Sequence, residues 1–254
     1  MLEKIAAAAK EAGKIITAER NAKVYRKEGH YNFVTEADLK VQELLRTLLC
    51  AVCPEADFYA EEQENAVLTV RPTWVVDPID GTLNFMRSRD CSAVSIALLY
   101  DRQPVYGAVY LPFQDELFTA QRGKGARMNG QPVSVSQMPF ENAMVALGTS
   151  PYNSALAKET LKRAERFLLE GGDLRRTGSA AKDLCDVACG RSDVFFELQL
   201  SPWDIAAGSL IVEEAGGVFS EYLEAERTFD KKVAILACNK ACYPKALEIL
   251  KQKL

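Results

Sequence analysis

The chain has 254 residues, of which 48% are hydrophobic and 26% charged, so it can bury a sizeable core as one or two domains. Its formal net charge is -4 and it carries no long basic block, which argues against nucleic-acid and anionic-membrane binding. No apolar stretch approaches the roughly 20 residues of a membrane span, and the N-terminus lacks a signal-peptide pattern, so a cytoplasmic location is expected.

Cysteine and histidine usage limits the metal chemistry. Seven cysteines are an odd number without the spacing of a disulfide scaffold, and their apolar neighbours predict reduced core thiols. Cys50 and Cys53 form a CxxC pattern without a basic neighbour, so no redox role is expected. Because His30 is the only histidine, a multi-histidine metal site is excluded, and a histidine triad would depend on that residue alone.

The hydrophobic pattern of the first half predicts two helices followed by strands. A helix is expected over residues 2–20, a polar loop or mobile hairpin over 21–34, and a second helix from 35 to about 49. The second helix opens on Thr35 and Asp38, which resemble a capping box with Asp in place of the usual Glu. Strands are expected over 67–76, 92–100, 105–111, 116–120, 133–135 and 143–147, with a turn over 121–132.

The second half alternates helices and strands more regularly. Helices are expected over 154–169, from 178–179 to 190, over 203–215 and over 243–254, with strands at 194–197 and 233–237. This mixture predicts an α+β protein whose layers surround one extended core. The layers would form a single unit, 1–254, or two packed halves of about 1–140 and 141–254.

The segment 74–85 carries the strongest chemical pattern. An apolar run ends in Asp77 and Asp80, and a Gly81-Thr82 turn follows that opens a helix whose amides can hold a phosphate. Two carboxylates this close repel each other unless a cation lies between them. Mg²⁺ takes oxygen ligands and often bridges to substrate phosphates. The segment therefore predicts a metal-dependent, phosphate-handling site.

Separated motifs extend this pattern along the chain. They are VTEAD at 34–38, AEE at 60–62, DPIDGT at 77–82, GSAA at 178–181, and WDIAAG at 203–208 with EAGG at 214–217. In this order, over about 27–217, they resemble the inositol monophosphatase family of Mg²⁺-dependent, lithium-sensitive sugar phosphatases. The resemblance implies a layered αβαβα fold with mixed sheets between helix layers, a homodimer, and two or three Mg²⁺ ions. It also implies hydrolysis of a small phosphate monoester, with myo-inositol 1-phosphate as the expected substrate.

The resemblance implies a role for each site residue. The metal ligands would be Glu61, Asp77, the backbone carbonyl of Ile79, Asp80 and Asp204. Thr82 and Asp38 would orient and help to deprotonate a metal-activated water, and Glu61 would be catalytic through its metal. The substrate would contact Asp80, Asp204, the amides of Gly81 and Thr82, and, on the sugar side, Ser179, Ala180 and Glu197. Lys27 would lie on a mobile loop near the metals.

Other interpretations remain open at this stage. Taken singly, Glu61 is typical of a solvated surface acid, and Asp38 and Asp204 are typical of acids in the first turn of a helix. Glu197 is typical of an acid at the end of a strand that faces water. Within the superfamily, the substrate could instead be 3′-phosphoadenosine 5′-phosphate, fructose 1,6-bisphosphate, histidinol phosphate or NADP. A regulatory protein that kept the fold and lost catalysis is the alternative of another class. A haloacid-dehalogenase motif fails on the Asp77–Asp80 spacing, and an EF-hand fails at Ser88.

Overall fold

A computed structural model describes residues 1–27, 31–223 and 229–252, and His30 lies outside these ranges. The described helices are α1 (Leu2–Ala18), α2 (Glu36–Val52), α3 (Thr82–Met86), α4 (Ala157–Leu169), α5 (Ala180–Ala188), α6 (Pro202–Glu214) and α7 (Tyr243–Lys251), with 3₁₀ turns at Phe140–Asn142 and Ser154–Leu156. Among them, none combines the length and apolarity needed to cross a membrane.

Within the described ranges, the strands form two large sheets and one ribbon. They are β1 (Val24–Arg26), β2 (Phe33–Thr35), β3 (Asp57–Ala60), β4 (Thr73–Asp80), β5 (Ala93–Tyr100), β6 (Gln103–Leu111), β7 (Glu116–Gln121), β8 (Ala126–Met128), β9 (Gln131–Pro132), β10 (Met144–Leu147), β11 (Asp173–Arg175), β12 (Val194–Leu200), β13 (Val218–Ser220) and β14 (Val233–Cys238). The seven-stranded sheet has the order β3-β4-β5-β6-β7-β8-β9, and the five-stranded sheet β11-β10-β12-β14-β13. Both are mixed, because β3 is parallel to β4 and β10 is parallel to β11 and β12.

Three apolar clusters define the order of the layers. Helices α1 and α2 cover the outer face of the seven-stranded sheet, where Ile16 and Leu45 share a cluster with Trp74. Helices α5 and α6 fill the space between the two sheets, and α4 and α7 cover the far face of the five-stranded sheet. The predicted α+β class and its αβαβα layering are therefore confirmed.

A glycine allows the middle layer to pack tightly. A Cβ atom at Gly208 of α6 would lie 2.5 Å from Cδ1 of Leu184 on α5, closer than real side chains approach. The absence of that atom lets the two helices meet directly between the sheets. The first turns of both helices are thereby brought to the same region, where the candidate site lies.

Several predicted boundaries were wrong, mostly in short elements. The strand predicted over 67–76 occupies Thr73–Asp80 instead, and β3, β11 and β13 were missed. The turn predicted over 121–132 contains β8 and β9. Residues 133–135 form no strand. The amide of Val133 donates to Ala126 O, and that of Val135 donates to Ala215 O at the end of α6. The last helix, predicted over 243–254, ends at Lys251, and residues 253–254 lie outside the described ranges.

Candidate functional site

An irregularity in β4 brings two acids to the same face of the sheet. In a regular strand, residues three positions apart point to opposite faces. Asp77 pairs with Ser95 and Asp80 with Ala93 of β5, so β4 has one more residue than its partner over this stretch. Pro78, which has no amide proton to donate, lies within the irregular stretch. Both carboxylates consequently face the middle helix layer.

A third acid joins them from α6. One carboxylate oxygen from each of Asp77, Asp80 and Asp204 lies within 4.8 Å of the others. Asp204 is fixed in the first turn of α6, where its Oδ2 accepts a 2.7 Å hydrogen bond from the amide of Ser201. Ser95, the partner of Asp77 on β5, donates its hydroxyl to Trp203 O at 3.1 Å and so ties α6 to this sheet. The three acids come from strands and helices held by the core.

Hydrogen bonds orient the carboxylates of β4. Oδ2 of Asp80 accepts from the hydroxyl of Ser179 at 2.6 Å and from the amide of Ala181 at 2.7 Å, both at the start of α5. Oδ1 of Asp77 accepts from the amide of Ile79 at 3.0 Å. Each carboxylate is thus held through one oxygen, and the other oxygen takes no part in these bonds.

Glu61 lies at the side of this cluster, near a lysine. It lines the cleft, whereas Glu62 turns toward α2, where Gln42 binds both its amide and its carbonyl. Lys27 Nζ lies 2.6 Å from a carboxylate oxygen of Glu62 and 3.6 Å from one of Glu61. The solvated-surface interpretation of the Glu pair is therefore not supported, since the side chains of Glu61 and Glu62 are only 21% and 5% exposed. Lys27, the last described residue of its loop, is the counter-ion of both acids.

Burial and mutual repulsion disfavour the charged forms of these acids. Burial, followed by the charge of neighbouring carboxylates, holds the pKa values of Asp77 and Asp204 well above their ordinary range. Burial likewise raises the pKa of Glu61 to about 7, although the charge of Lys27 opposes the shift. It raises the pKa of Asp80 to about 6, although the hydrogen bond from Ser179 opposes the shift. A buried set of carboxylate oxygens that repel one another suits a hard divalent cation, which relieves the repulsion.

A hydroxyl and a carboxylate stand next to the acid cluster. The Oγ1 of Thr82 lies 3.3 Å from Oδ1 of Asp38 and 3.2 Å from the carbonyl oxygen of Ile79. Asp38 is fully buried at the start of α2, and its Oδ2 accepts from the amide of Thr35 at 2.8 Å and also from the Thr35 hydroxyl. The predicted capping box is confirmed. Burial raises the pKa of Asp38 to about 6.

The turn between β4 and α3 requires its glycine. Gly81 has φ 88°, and a Cβ atom there would lie 2.9 Å from Cys91 O and 3.3 Å from Gly178 O. The turn therefore packs directly against the loop that leads through Ser179 into α5, whose first residue is Ala180. Asn84 joins the two loops by donating to Cys91 O at 2.7 Å and to Thr177 O at 3.1 Å.

Glu197 is buried against a loop that the sequence motifs did not include. Its Oε1 accepts from the amide of Ser150 at 2.7 Å and from the Ser150 hydroxyl at 3.2 Å. A Cβ atom at Gly148 would lie 1.7 Å from Oε2, so only glycine leaves room for this carboxylate. Only 7% of Glu197 is exposed, which does not support a strand-end acid facing water, and burial raises its pKa to about 7.

One cleft of about 350 Å³ collects these groups. It is lined by Glu61, Asp77, Ile79, Asp80, Gly81, Thr82, Ser179, Ala180, Glu197, Asp204 and Lys27, and Asp38 lies behind Thr82. Sequence reasoning missed further lining residues, among them Tyr31, Asn32, Ser150, Tyr152, Arg176 and Lys232. The sequence carried one signal for Ser150. Small residues directly follow β10, and the carboxyl ends of parallel neighbouring strands, here β10 and β12, meet at the same edge of the sheet.

Known structures with this fold define the class. An IMPase/NADP phosphatase complexed with Mg²⁺ and phosphate is 25% identical, with a TM-score of 0.85 over 96% of this chain and 92% of that chain. The extragenic suppressor protein suhB from Bartonella henselae is 34% identical, with a TM-score of 0.90 over 99% of this chain and 98% of that chain. The fold and the acidic cleft thus define a phosphoric monoester hydrolase.

The chain belongs to the inositol monophosphatase family, whose model matches residues 1–254. Inositol monophosphatase 2 from Solanum lycopersicum is 42% identical over 221 residues, which cover 83% of each protein. The family expected from the motifs is therefore confirmed, and with it the expected reaction class, the hydrolysis of a phosphate monoester.

Proposed function

We propose that this protein hydrolyses myo-inositol 1-phosphate to inositol and phosphate with the help of bound Mg²⁺. The observation that carries the choice of substrate is the Glu197 carboxylate, fixed at the wall of the cleft by Ser150 and given room by Gly148. A fixed carboxylate can accept hydrogen bonds from two sugar hydroxyls, a pattern that a polyol ring presents. Ser179 and Ala180, at the start of α5, line the same side.

Two or three Mg²⁺ ions would be held by the acids around the cleft. Glu61, Asp77 and the carbonyl of Ile79 form one donor set, and Asp80 and Asp204 form a second set that shares Asp77. The ions supply Lewis acidity, which makes water a nucleophile near neutral pH and neutralises developing negative charge. The all-oxygen donors and the raised pKa values of Asp77 and Asp204 support this assignment.

Thr82 and Asp38 would orient the attacking water and take up its proton. The hydroxyl of Thr82 can donate its own hydrogen to Asp38 Oδ1, 3.3 Å away, while a lone pair on its oxygen accepts from the water. Asp38 is fixed by Thr35 and has a pKa raised to about 6, so it can accept a proton near neutral pH. The water would then face the phosphorus atom in line with the departing alkoxide.

The remaining groups would bind the two ends of the substrate. The amides of Gly81 and Thr82 at the start of α3 would hold the phosphate oxygens, since they lie beside the acidic cluster. Asp80 and Asp204 would contact the substrate as well as the metal. Lys27, the counter-ion of Glu61, would keep that acid charged for metal binding.

A panel of phosphate esters tests the choice of substrate. In saturating Mg²⁺, kcat/KM is compared for myo-inositol 1-phosphate, 3′-phosphoadenosine 5′-phosphate, fructose 1,6-bisphosphate, histidinol phosphate and NADP. The proposal predicts the largest value for myo-inositol 1-phosphate. A larger value for a nucleotide would contradict it, and metal binding in calorimetry without any turnover would favour the regulatory alternative.

Further properties follow from family membership and belong to the same proposal. We expect a homodimer, a cytoplasmic location, inhibition by lithium and no nucleic-acid partner. We also expect one folding unit rather than two halves, because residues of both sheets share the apolar cluster around α5 and α6. Sedimentation would test the oligomeric state. A single cooperative unfolding transition would support one folding unit.

A further inference from the structure

We propose that Tyr152 is a specificity-determining residue of the cleft, and that its aromatic ring packs against the C–H face of a cyclic leaving group. The inference rests on the proposed phosphatase function and deepens it. The motifs assign contacts to the phosphate of the substrate and to its hydroxyls, but none to the apolar faces of its ring.

A hydrogen-bonded turn fixes Tyr152 at the edge of the cleft. The amide of Asn153 donates to Ser150 O at 2.9 Å, which closes a β-turn with Pro151 and Tyr152 at its two central positions. Proline fixes its own φ angle at the position before Tyr152 and so stiffens the turn. Both central residues line the cleft, so the turn presents Tyr152 to a bound substrate.

Both ends of this turn are attached to β12. The hydroxyl of Ser150 donates to Gln199 O at 3.3 Å and accepts from the amide of Gln199 at 3.1 Å. Nδ2 of Asn153 donates to Oε1 of Gln199 at 3.2 Å. Since the amide of Ser150 also donates to Glu197, the turn that carries Tyr152 holds the carboxylate proposed to bind hydroxyls. The backbone of Tyr152 and this carboxylate therefore keep one fixed arrangement.

The side chain of Tyr152 combines an open ring with an enclosed hydroxyl. As a whole the residue is 58% exposed, yet it lines the cleft. Burial, followed by the charges of Glu61, Asp204 and Asp80, raises the pKa of its hydroxyl, so that end of the side chain lies near the acid cluster. The side chain therefore extends from the turn toward the metal end, stays neutral, and leaves ring surface open where the leaving group would lie.

An aromatic ring beside a fixed carboxylate matches the two kinds of surface on a cyclic polyol. Such a molecule directs most of its hydroxyls outward along its edge and presents C–H bonds on its two faces. Glu197 can accept from the edge, while the ring of Tyr152 can cover one face and remove its apolar surface from water. An open-chain ester presents no such face, so Tyr152 should favour leaving groups that contain a ring.

Esters that differ in ring and hydroxyls separate the two contacts. In saturating Mg²⁺, kcat/KM is measured for myo-inositol 1-phosphate, cyclohexyl phosphate and glycerol 2-phosphate in wild type, Tyr152→Ala and Glu197→Ala. Tyr152→Ala should lower the values for both ring esters by about 5- to 30-fold and change that for glycerol 2-phosphate by no more than about twofold. Glu197→Ala should spare cyclohexyl phosphate, which has no hydroxyl to offer. Equal losses on all three esters in Tyr152→Ala, or no loss on cyclohexyl phosphate, would overturn the proposal.

Two further variants test whether the ring itself is responsible. Tyr152→Phe keeps the ring and loses only the hydroxyl, so the ratio of kcat/KM for cyclohexyl phosphate to that for glycerol 2-phosphate should stay within about twofold of wild type. Tyr100, at the end of β5, is 37% exposed and does not line the cleft, so Tyr100→Ala should also keep this ratio. A fall in the ratio for either variant as large as that in Tyr152→Ala would contradict a specific ring contact.

Binding separates this proposal from the phosphatase assignment. If wild type hydrolyses none of the esters, calorimetric titration with cyclohexyl phosphate and methyl phosphate in Mg²⁺ still compares their dissociation constants. Weaker binding of cyclohexyl phosphate to Tyr152→Ala than to wild type, with methyl phosphate unchanged, would support the ring contact even if the proposed function failed. The same affinity for cyclohexyl phosphate in both proteins would overturn the contact, whatever the activity toward myo-inositol 1-phosphate.

Discussion

The hydroxyl of Thr82 lies 3.3 Å from the carboxylate of Asp38, although 44 residues separate them in the chain. The contact joins the first turn of α3 on one side of the cleft to the first turn of α2, and it is buried. Because Asp38 is held by Thr35, the Thr82 hydroxyl has a fixed acceptor and its lone pairs can face the cleft.

The first prediction concerns this pair. Thr82→Ala should lower kcat by about 10²- to 10⁴-fold, the usual range for loss of general acid–base assistance, with KM changed only a few-fold. Thr82→Ser keeps a hydroxyl at the same position and should retain activity within about tenfold of wild type. Steady-state kinetics on both variants checks this. Equal activity in Thr82→Ala and Thr82→Ser would remove the hydroxyl from the mechanism.

The second prediction separates metal binding from folding at Asp77. Asp77→Asn should abolish turnover and the rise in melting temperature that Mg²⁺ causes in wild type, because Asp77 is shared by both proposed donor sets. Without metal, the variant should be at least as stable as wild type, since burial and neighbouring carboxylates disfavour a charged Asp77. Thermal unfolding with and without Mg²⁺ measures both effects.

A matched acid outside the cleft serves as control for that experiment. Asp57 is 44% exposed on β3 and pairs with Arg71 at 3.1 Å. Asp57→Asn should keep both turnover and the response to Mg²⁺. If Asp77→Asn still gained stability from Mg²⁺ as wild type does, its role as a shared ligand would be wrong.

The third prediction concerns selectivity at the wall of the cleft. Glu197→Ala should lower kcat/KM for myo-inositol 1-phosphate by about 10- to 100-fold and change that for glycerol 2-phosphate by no more than about twofold. The ring holds several hydroxyls at fixed positions, whereas glycerol 2-phosphate has two on a short flexible chain. Gly148→Ala should have the same selective effect, since the added Cβ would lie 1.7 Å from Oε2 of Glu197 and displace it. Equal losses on both substrates would remove the specificity role.

The fourth prediction is a pH dependence of stability. Burial raises the pKa of Glu197 from 4.5 to about 7, so between these pH values the folded protein binds a proton at this site that the unfolded chain has lost. The stabilisation is fully present below 4.5 and is lost as the pH rises through about 7. Glu197→Gln cannot titrate at this position. As the pH rises across this window, the free energy of unfolding of wild type should therefore fall relative to that of Glu197→Gln.

Chemical denaturation of the metal-free proteins at several pH values measures this difference. Other buried acids titrate in both proteins, so their contributions largely cancel in the comparison. Parallel curves of unfolding free energy against pH for wild type and Glu197→Gln would show that Glu197 has an ordinary pKa.

Much of the fold and of the site follows from local patterns in the sequence. The capping box at Thr35 and Asp38 depends on residues three apart, and the layered α+β class follows from the alternation of strong helices and strands. The acids of β4 and α6 stand out because charged residues interrupt apolar segments. The catalytic and binding roles of these residues stay predictions.

Other features depend on pairings between distant segments. The irregularity that turns Asp77 and Asp80 to one face exists only relative to β5, and no local pattern specifies it. The contact of Ser150 with Glu197 spans 47 residues and is set by the parallel pairing of β10 with β12. Short strands such as β11 and β13 have only three residues each, too few for a clear period.

Phosphate release from myo-inositol 1-phosphate, measured with Mg²⁺ and after removal of metal by a chelator, tests the central claim most directly. Wild type should release phosphate only with Mg²⁺, and Asp77→Asn should release none under either condition. Release that persists in the chelator, or in Asp77→Asn, would contradict a metal-dependent mechanism at this cleft. Absence of release from wild type with Mg²⁺ would contradict the proposed substrate.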